Sequence, residues 1–277
     1  MAKNRSTDNQ NSILLSTPEF WLLLSQFAPA LVLGVENPYT GWLAEEIKNA
    51  NREAVDSLIK RGWARPLTAE TVDVKDDLLA LSKVCAHPTH SCVLQISNRN
   101  GQNERRYFNF IDDLIVEHYE VNPGEHLLCK YISRSALVEH VVSLLNLQTV
   151  SHGNGKGFQL PESVLFKATE LSVIGKTAEM HEILSEAGLG KEEGAEIRNA
   201  LGTPVVNASI AVIANQGDPE TQHVRGFGIL QSSTNLWVMS PFEKLGKPLV
   251  EFSPVSVEDI HARLEQAIPG GQTIGGE

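Results

Sequence analysis

The chain has 277 residues, with 23 lysines and arginines against 34 aspartates and glutamates, so its net charge is −11. Hydrophobic residues at 42% and charged residues at 21% are typical of a folded protein and exclude a wholly disordered chain. The acidic balance argues against nucleic-acid binding, which uses basic patches to neutralise phosphates. The most apolar stretch is shorter than the ~20 residues that a membrane helix needs, and three cysteines are too few for a disulfide framework. These features favour a cytoplasmic protein.

Two parts of the chain carry the same succession of helical patterns. Apolar residues recur at helical spacing in residues 51–64 and again in residues 177–190. Both stretches contain a glycine near their end, Gly62 or Gly188, which can adopt the left-handed conformation that closes a helix. A second helical pattern follows each stretch and stops at a proline. We therefore predict two consecutive helices at matching places in the two halves.

Runs typical of antiparallel strands follow the second helix of each half. Asn-Gly, Asp-Pro and Pro-Gly steps separate alternating apolar runs, as in hairpins. Each half then closes with an amphipathic helix, and Ser256 with Asp259 fits a capping box at the start of the last one. Each half also opens with a proline, Pro18 or Pro161, at a position where a helix can begin. The predicted strands are residues 92–97, 105–111, 114–121 and 127–132 in the first half, and 209–214, 224–230, 235–240 and 249–252 in the second.

We therefore predict an α+β fold that is internally duplicated and quasi-two-fold, with antiparallel β-sheets flanked by helices. Pairing two such halves buries the apolar face and the sheet edge that each would expose alone. The sequence leaves open whether the halves share one continuous sheet. The predicted divisions are a disordered N-terminus (1–15), a first repeat (16–147), a glycine-rich linker (148–159), a second repeat (160–268) and a flexible tail (269–277).

The sequence contains no convincing metal or cofactor motif. Cys85, His87, His90 and Cys92 are zinc-ligating residue types within eight positions, but their spacing does not match common zinc knuckles. A Gly-Lys-Thr triplet at residues 175–177 lacks the upstream glycine and the strand of a phosphate-binding loop. We expect no metal and no cofactor.

No catalytic motif emerges either, although one alternative stays open. Asp112 and Asp113 fall at a tight turn, where aspartate is favoured for local backbone bonding. Glu117 and His118 are adjacent on a strand and should point to opposite faces. The expected protein is not an enzyme. The alternative is a small-molecule enzyme or sensor with a site between the halves, using Glu117, His118 or His140.

Five segments resemble the EspG-like family of type VII secretion-associated chaperones. STPEFWLLLSQFA resembles the opening helix of that family, and LIKRGW followed by DDLLALSKVCAHP resembles its helix, arginine-glycine, helix, proline pattern. VRGFGILQSSTNLWVMSP and FSPVSVEDIHARLEQAI resemble its late hairpin and closing helix. Loosely, the resemblance spans residues 16–268, and it rests on element order and size rather than on a chemical motif.

The resemblance implies a cytosolic, non-enzymatic protein that holds the helical tip of a secretion substrate. Arg105, Arg106 and Arg225 are the hairpin positions most like those of the family. An acidic body with a sheet surface and long loops could also present a groove to an apolar or basic helix. A plain interaction subunit without a specific client is a further alternative. Our candidate partner-binding residues in and beside the second polar hairpin loop are Gln216, Asp218, Glu220, His223 and Arg225, and residues 98–104 are the first-half counterpart of that loop.

Overall fold

The computed structural model describes residues 12–29, 31–68, 71–97, 103–150, 157–214 and 221–269. Its elements fall into two successive series with the order strand, helices, four strands, helix, and the first series has a short hairpin inserted between its helices. The first series is β1 (Ser12–Ser16), α1 (Thr17–Ser25), α2 (Ala44–Lys60), β2 (Ala64–Pro66), β3 (Val72–Val74), α3 (Asp76–Ala86), β4 (His90–Ser97), β5 (Asn103–Ile111), β6 (Leu114–Asn122), β7 (Glu125–Tyr131) and α4 (Arg134–Leu145). The second series is β8 (Phe158–Pro161), α5 (Glu162–Val173), α6 (Thr177–Glu186), α7 (Lys191–Gly202), β9 (Val206–Ala214), β10 (His223–Gln231), β11 (Leu236–Lys244), β12 (Lys247–Pro254) and α8 (Val257–Ala267).

Local capping fixes where several helices begin and end. The Ser16 hydroxyl accepts from the backbone N–H of Glu19, whose carboxylate accepts from the N–H of Ser16, and this capping box starts α1. Ser256 and Asp259 form the predicted capping box of α8. Gly62 and Gly188 have φ angles of 73° and 88°, which side-chain-bearing residues rarely adopt, so both helix ends lie where the sequence predicts them.

The two halves share one continuous ten-stranded sheet. Its order is β1-β7-β6-β5-β4-β9-β10-β11-β12-β8, with every described pairing antiparallel. The central pair, β4 and β9, joins the halves over eight residues, from His90 opposite Ala214 to Ser97 opposite Asn207. The predicted α+β class with an antiparallel sheet is therefore confirmed, and the question of one sheet or two is answered.

Five elements differ from the sequence-based boundaries. β1 begins at Ser12, inside the segment 1–15 that we predicted to be disordered, and β8 begins at Phe158, inside the predicted linker 148–159. The hairpin of β2 and β3 was not predicted, and α2 begins seven residues before the predicted start of its helix. Strands of three to five residues carry too few alternations to be recognised from the sequence. Residues 1–11, 151–156 and 270–277 lie outside the described residues.

Three apolar cores organise the molecule in layers. The central core lies between α4 and α8 and one face of the sheet, where Leu94 of β4 and Ile210 of β9 are buried. A second core packs α1–α3 on the opposite face, because Val116 belongs to it while its neighbour Ile115 faces the central core. A third core packs α5–α7 on that same opposite face at the other end, as Trp237 and its neighbour Leu236 show. Two helical groups thus cover the ends of one face.

Among the described residues, no helix combines the length and apolar character needed to cross a bilayer.

Candidate functional site

The middle of the sheet carries a solvent-accessible strip between the two helical groups. Leu94 and Ile210 point into the central core, so their strand neighbours point to the other face. There the nearest helices pack mainly on outer strands, α3 on β5 and β6, and α5 on β8 and β12. Val224 is 64% exposed. We call this surface the open strip and define it by Val93, Gln95, Ser209, Ala211, Ile213, Val224 and Gly226, all of them exposed or half-buried.

The strand register makes the open strip one continuous surface with small residues at its centre. Val93 lies opposite Ala211, which lies opposite Gly226, so three neighbouring strands present aligned positions. A Cβ atom on Gly226 would lie 2.2 Å from the carbonyl oxygen of Ile210, and the position therefore excludes a side chain. Small residues beside aliphatic ones allow another polypeptide to approach the sheet closely while it buries apolar area.

Two of the five predicted partner-binding residues, His223 and Arg225, are described by the structure and lie near the start of β10. Gln216, Asp218 and Glu220 lie outside the described residues. His223 and Arg225 are exposed, and they alternate with Val224, so they lie on the side of α8. The Arg225 guanidinium donates to the carbonyl of Ala267 at 3.4 Å.

The paired arginines of β5 go to opposite faces of the sheet. Arg105 is exposed and donates from Nε to Oε1 of Gln95 at 3.1 Å, beside the open strip. Arg106 instead turns toward the central core, where its Nη1 donates to Oε1 of Glu117 at 2.7 Å. Only Arg105 of this pair can therefore contact a molecule on the open strip.

Glu117 is a buried carboxylate whose oxygens are already engaged. Besides Arg106, it accepts from the Tyr131 hydroxyl at 2.7 Å, and Nε2 of His140 lies 3.3 Å from Oε1. Burial alone would raise the pKa of Glu117, but these hydrogen bonds and the charge of Arg106 lower it below the ordinary value. Arg106 also lies 3.9 Å above the ring of Tyr119. The arrangement compensates a buried charge, and both carboxylate oxygens have hydrogen-bonding neighbours.

His118 lies on the opposite face from Glu117, as the strand alternation predicts. Its Nε2 is 2.9 Å from Nδ1 of His126, and Nε2 of His126 is 3.0 Å from the Thr17 hydroxyl. Burial and the neighbouring His126 lower the pKa of His118 to about 3. Glu117 and His140 thus meet, whereas His118 is separate from them, and all three lie in the first half rather than between the halves.

The cysteine-histidine segment is divided between different surroundings. Cys85 belongs to the core under α1–α3, whereas Cys92 belongs to the central core on the other face of the sheet. Burial raises the pKa of each thiol to about 12. His87 hydrogen-bonds the carbonyl of Phe27. Within the described parts of the chain, no three His, Cys, Asp or Glu side chains are grouped so as to hold a metal ion.

Exposed apolar residues on α5 and at its C-terminal end were missed by the sequence reasoning. Phe166 is 65% exposed, Val173 is 82% exposed, and Ile174, the residue after the helix, is 64% exposed. Phe166 and Val173 are seven positions apart and therefore lie on one face of the helix. The spacing was visible in the sequence, but the apolar residues of a helix are normally assigned to its buried face, and only the packing shows that these are not buried.

Comparison with known proteins identifies the fold. No protein-family model matches the chain, and no curated protein matches it. Among solved structures, the chain is similar to the Mycobacterium tuberculosis type VII secretion system chaperone EspG5, whose structure was solved in complex with a PE25–PPE41 dimer. The TM-score is 0.65 at 13% sequence identity, and the match covers 95% of this chain and 98% of that one. The chain therefore has the EspG-like fold.

Proposed function

We propose that the chain is a non-enzymatic, cytoplasmic chaperone or adaptor that holds a helical protein partner, with a type VII secretion substrate as the specific candidate. The observation that carries the proposal is the open strip. Its residues are accessible at the centre of the fold, and helical groups cover both ends of the same face. The similarity to EspG5, a chaperone described in complex with a protein dimer, supports this type of role.

The open strip suits the apolar side of a helix or helix pair. Val93, Ile213 and Val224 offer aliphatic contact, and small residues between them permit close approach. Arg105 lies beside these apolar residues and offers a polar contact, and the chain as a whole has a net charge of −11. We also propose the hairpin residues Gln216, Asp218, Glu220, His223 and Arg225 as partner-binding residues, because they lie in or beside the β9–β10 connection. His223 and Arg225 lie on the α8 face of the sheet, so they would form a contact region separate from the open strip.

The competing small-molecule site is less well supported. Both oxygens of Glu117 already have neighbours, Arg106 and His140 at Oε1 and Tyr131 at Oε2, and His118 faces the other side of the sheet. An acid–base pair needs groups that face one another with a free position between them. Glu117 and His140 do approach each other, but Arg106 and Tyr131 also donate hydrogen bonds to the Glu117 carboxylate.

We expect Val224→Glu to lower recovery of the partner because it places a charge in the apolar part of the open strip. The tagged full-length chain is purified from its own cells, and bound proteins are identified and quantified by mass spectrometry. The wild-type chain should retain one helical protein near equal stoichiometry. The amount of partner recovered with the variant should be at least about tenfold lower, since a buried unpaired charge costs several kcal/mol.

Ile132→Glu is the matched control, because Ile132 is 83% exposed and follows β7. β7 lies five strands from β10, about 24 Å at the usual strand spacing. The control should retain the partner. A wild-type chain that carries no protein, or equal retention by both variants, would contradict the proposed site.

A further inference from the structure

A half-open cavity of about 650 Å³ lies between the elements of the first helical group, separate from the open strip. Its walls come from α1, α2, α3 and the β2–β3 hairpin. Buried Leu23 and Leu58 lie at the wall, and half-buried Val55, Val72 and Leu79 line the accessible part. The volume is within the range of about 300–1,000 Å³ that small-molecule sites occupy.

The hairpin that lines this cavity is one element that distinguishes the two halves. In the second half, α6 passes to α7 through residues 187–190, which the structure describes in full and which contain no strand. In the first half, β2 and β3 pair from Ala64 opposite Val74 to Pro66 opposite Val72. Ala64 and residues 71–74 then line the cavity. The added hairpin therefore forms a wall that the helices alone do not supply.

The charges at the cavity are not balanced. Asp73 accepts from Nε of Arg65 at 2.8 Å, so the carboxylate at the wall already has a cationic partner. Lys83, in the last turn of α3, is exposed at the lining and forms no ion pair with any described residue. Among the described residues, this lining therefore carries a lysine without an ion-pair partner, in a chain whose net charge is −11. Its electrostatics favour an anionic group on a bound ligand.

From the apolar wall, the extra hairpin and the position of Lys83, which has no ion-pair partner among the described residues, we propose that this cavity binds a single-chain anionic amphiphile of the fatty-acid class. The alkyl chain lies against Leu23, Val55 and Leu79, and the carboxylate pairs with Lys83. Burying methylene groups drives binding, whereas the lysine selects the anionic headgroup. This site is independent of the partner-binding proposal, because it uses no residue of the open strip.

The test uses the full chain and cis-parinaric acid, a long-chain polyene fatty acid whose fluorescence rises in apolar surroundings. We expect saturable binding below the micelle concentration of the probe. Palmitate should displace the probe more effectively than its methyl ester or a quaternary ammonium amphiphile of equal chain length. Lys83→Gln should weaken palmitate binding about fivefold and leave the ester unchanged, because only the charge contact is lost. Lys60→Gln, an exposed lysine outside the lining, is the control.

A second variant tests the apolar part of the site. Val55→Phe adds volume at the half-buried wall and should weaken the binding of both palmitate and its ester about tenfold. Val173→Phe, at an exposed position of α5, should change the binding of neither. A thermal melt of each variant establishes that it is folded. The proposal is overturned if the wild-type chain shows no saturable binding, if the cationic amphiphile competes as well as palmitate, or if Lys83→Gln binds palmitate like the wild type.

Discussion

Replacing Glu117 by alanine should lower the free energy of unfolding by about 3 kcal/mol, because it removes one partner of a buried ion pair. The side chain of Glu117 is 1% exposed and that of Arg106 is 13% exposed. Without the carboxylate, the guanidinium keeps only Glu104 and the ring of Tyr119, and the Tyr131 hydroxyl loses its acceptor. Urea titration followed by circular dichroism measures the change as a shift of the midpoint at constant slope.

Glu104→Ala is the matched control, since it removes the other carboxylate that contacts Arg106. The Glu104 side chain is 50% exposed, so water replaces it and the expected loss is below about 1 kcal/mol. Glu117→Gln should fall between the two variants, because the amide retains an acceptor for Tyr131 but not the charge. Equal losses of stability in Glu117→Ala and Glu104→Ala would contradict the prediction that the buried carboxylate stabilises the fold more than the exposed one.

Much of the fold could be predicted because its longer elements carry strong local signals. The alternating runs of β5 and β10 and the amphipathic α4 and α8 are recognisable without any tertiary information. The order of these elements recurs in the two halves, which is why an antiparallel sheet flanked by helices was predicted correctly. β1 and β8 escaped because each is a short edge strand whose position is set by pairing with a distant strand, β7 or β12.

The candidate site could be predicted only in outline. The sequence located polar hairpin loops, but it could not show that Val224, rather than its neighbours, faces the open strip. That depends on which face α4 and α8 cover, a property of tertiary packing. The partners of Glu117 come from β5, β7 and α4, and strand register brings them together. Local patterns predict alternation along a strand, but they do not specify which strand lies next to it.

A chain of hydrogen bonds through two histidines connects α1 to the sheet. The Thr17 hydroxyl hydrogen-bonds His126, and His126 hydrogen-bonds His118. The rings of His118 and His126 both contact Phe20. His118 Nδ1 is buried and has no hydrogen-bond partner among the described residues. The ring is therefore held neutral in apolar surroundings, and adding a proton to it is costly.

Acidification should destabilise the protein through this pair, and His118→Phe should remove much of the effect. The pKa of His118 is about 3 in the folded chain against an ordinary value of 6.5, and burial also lowers the pKa of His126, opposed by the charge of Glu120. Between these pKa values the unfolded state binds more protons than the folded state, so stability rises with pH and declines as pH falls from 6.5 toward 3. One such group contributes a slope of up to about 1.4 kcal/mol per pH unit.

The measurement is the free energy of unfolding in urea at several pH values between about 7.5 and 5, above the range where ordinary carboxylates titrate. Wild type should lose about 2 kcal/mol more than His118→Phe between pH 6.5 and 5, since a phenyl ring keeps the contacts with Phe20 and Tyr107 but does not titrate. His181→Gln, an exposed histidine on α6, should follow the wild-type curve. Parallel curves for wild type and His118→Phe would mean that His118 is not the group that senses acid, and His126, whose pKa burial also lowers, would then be tested.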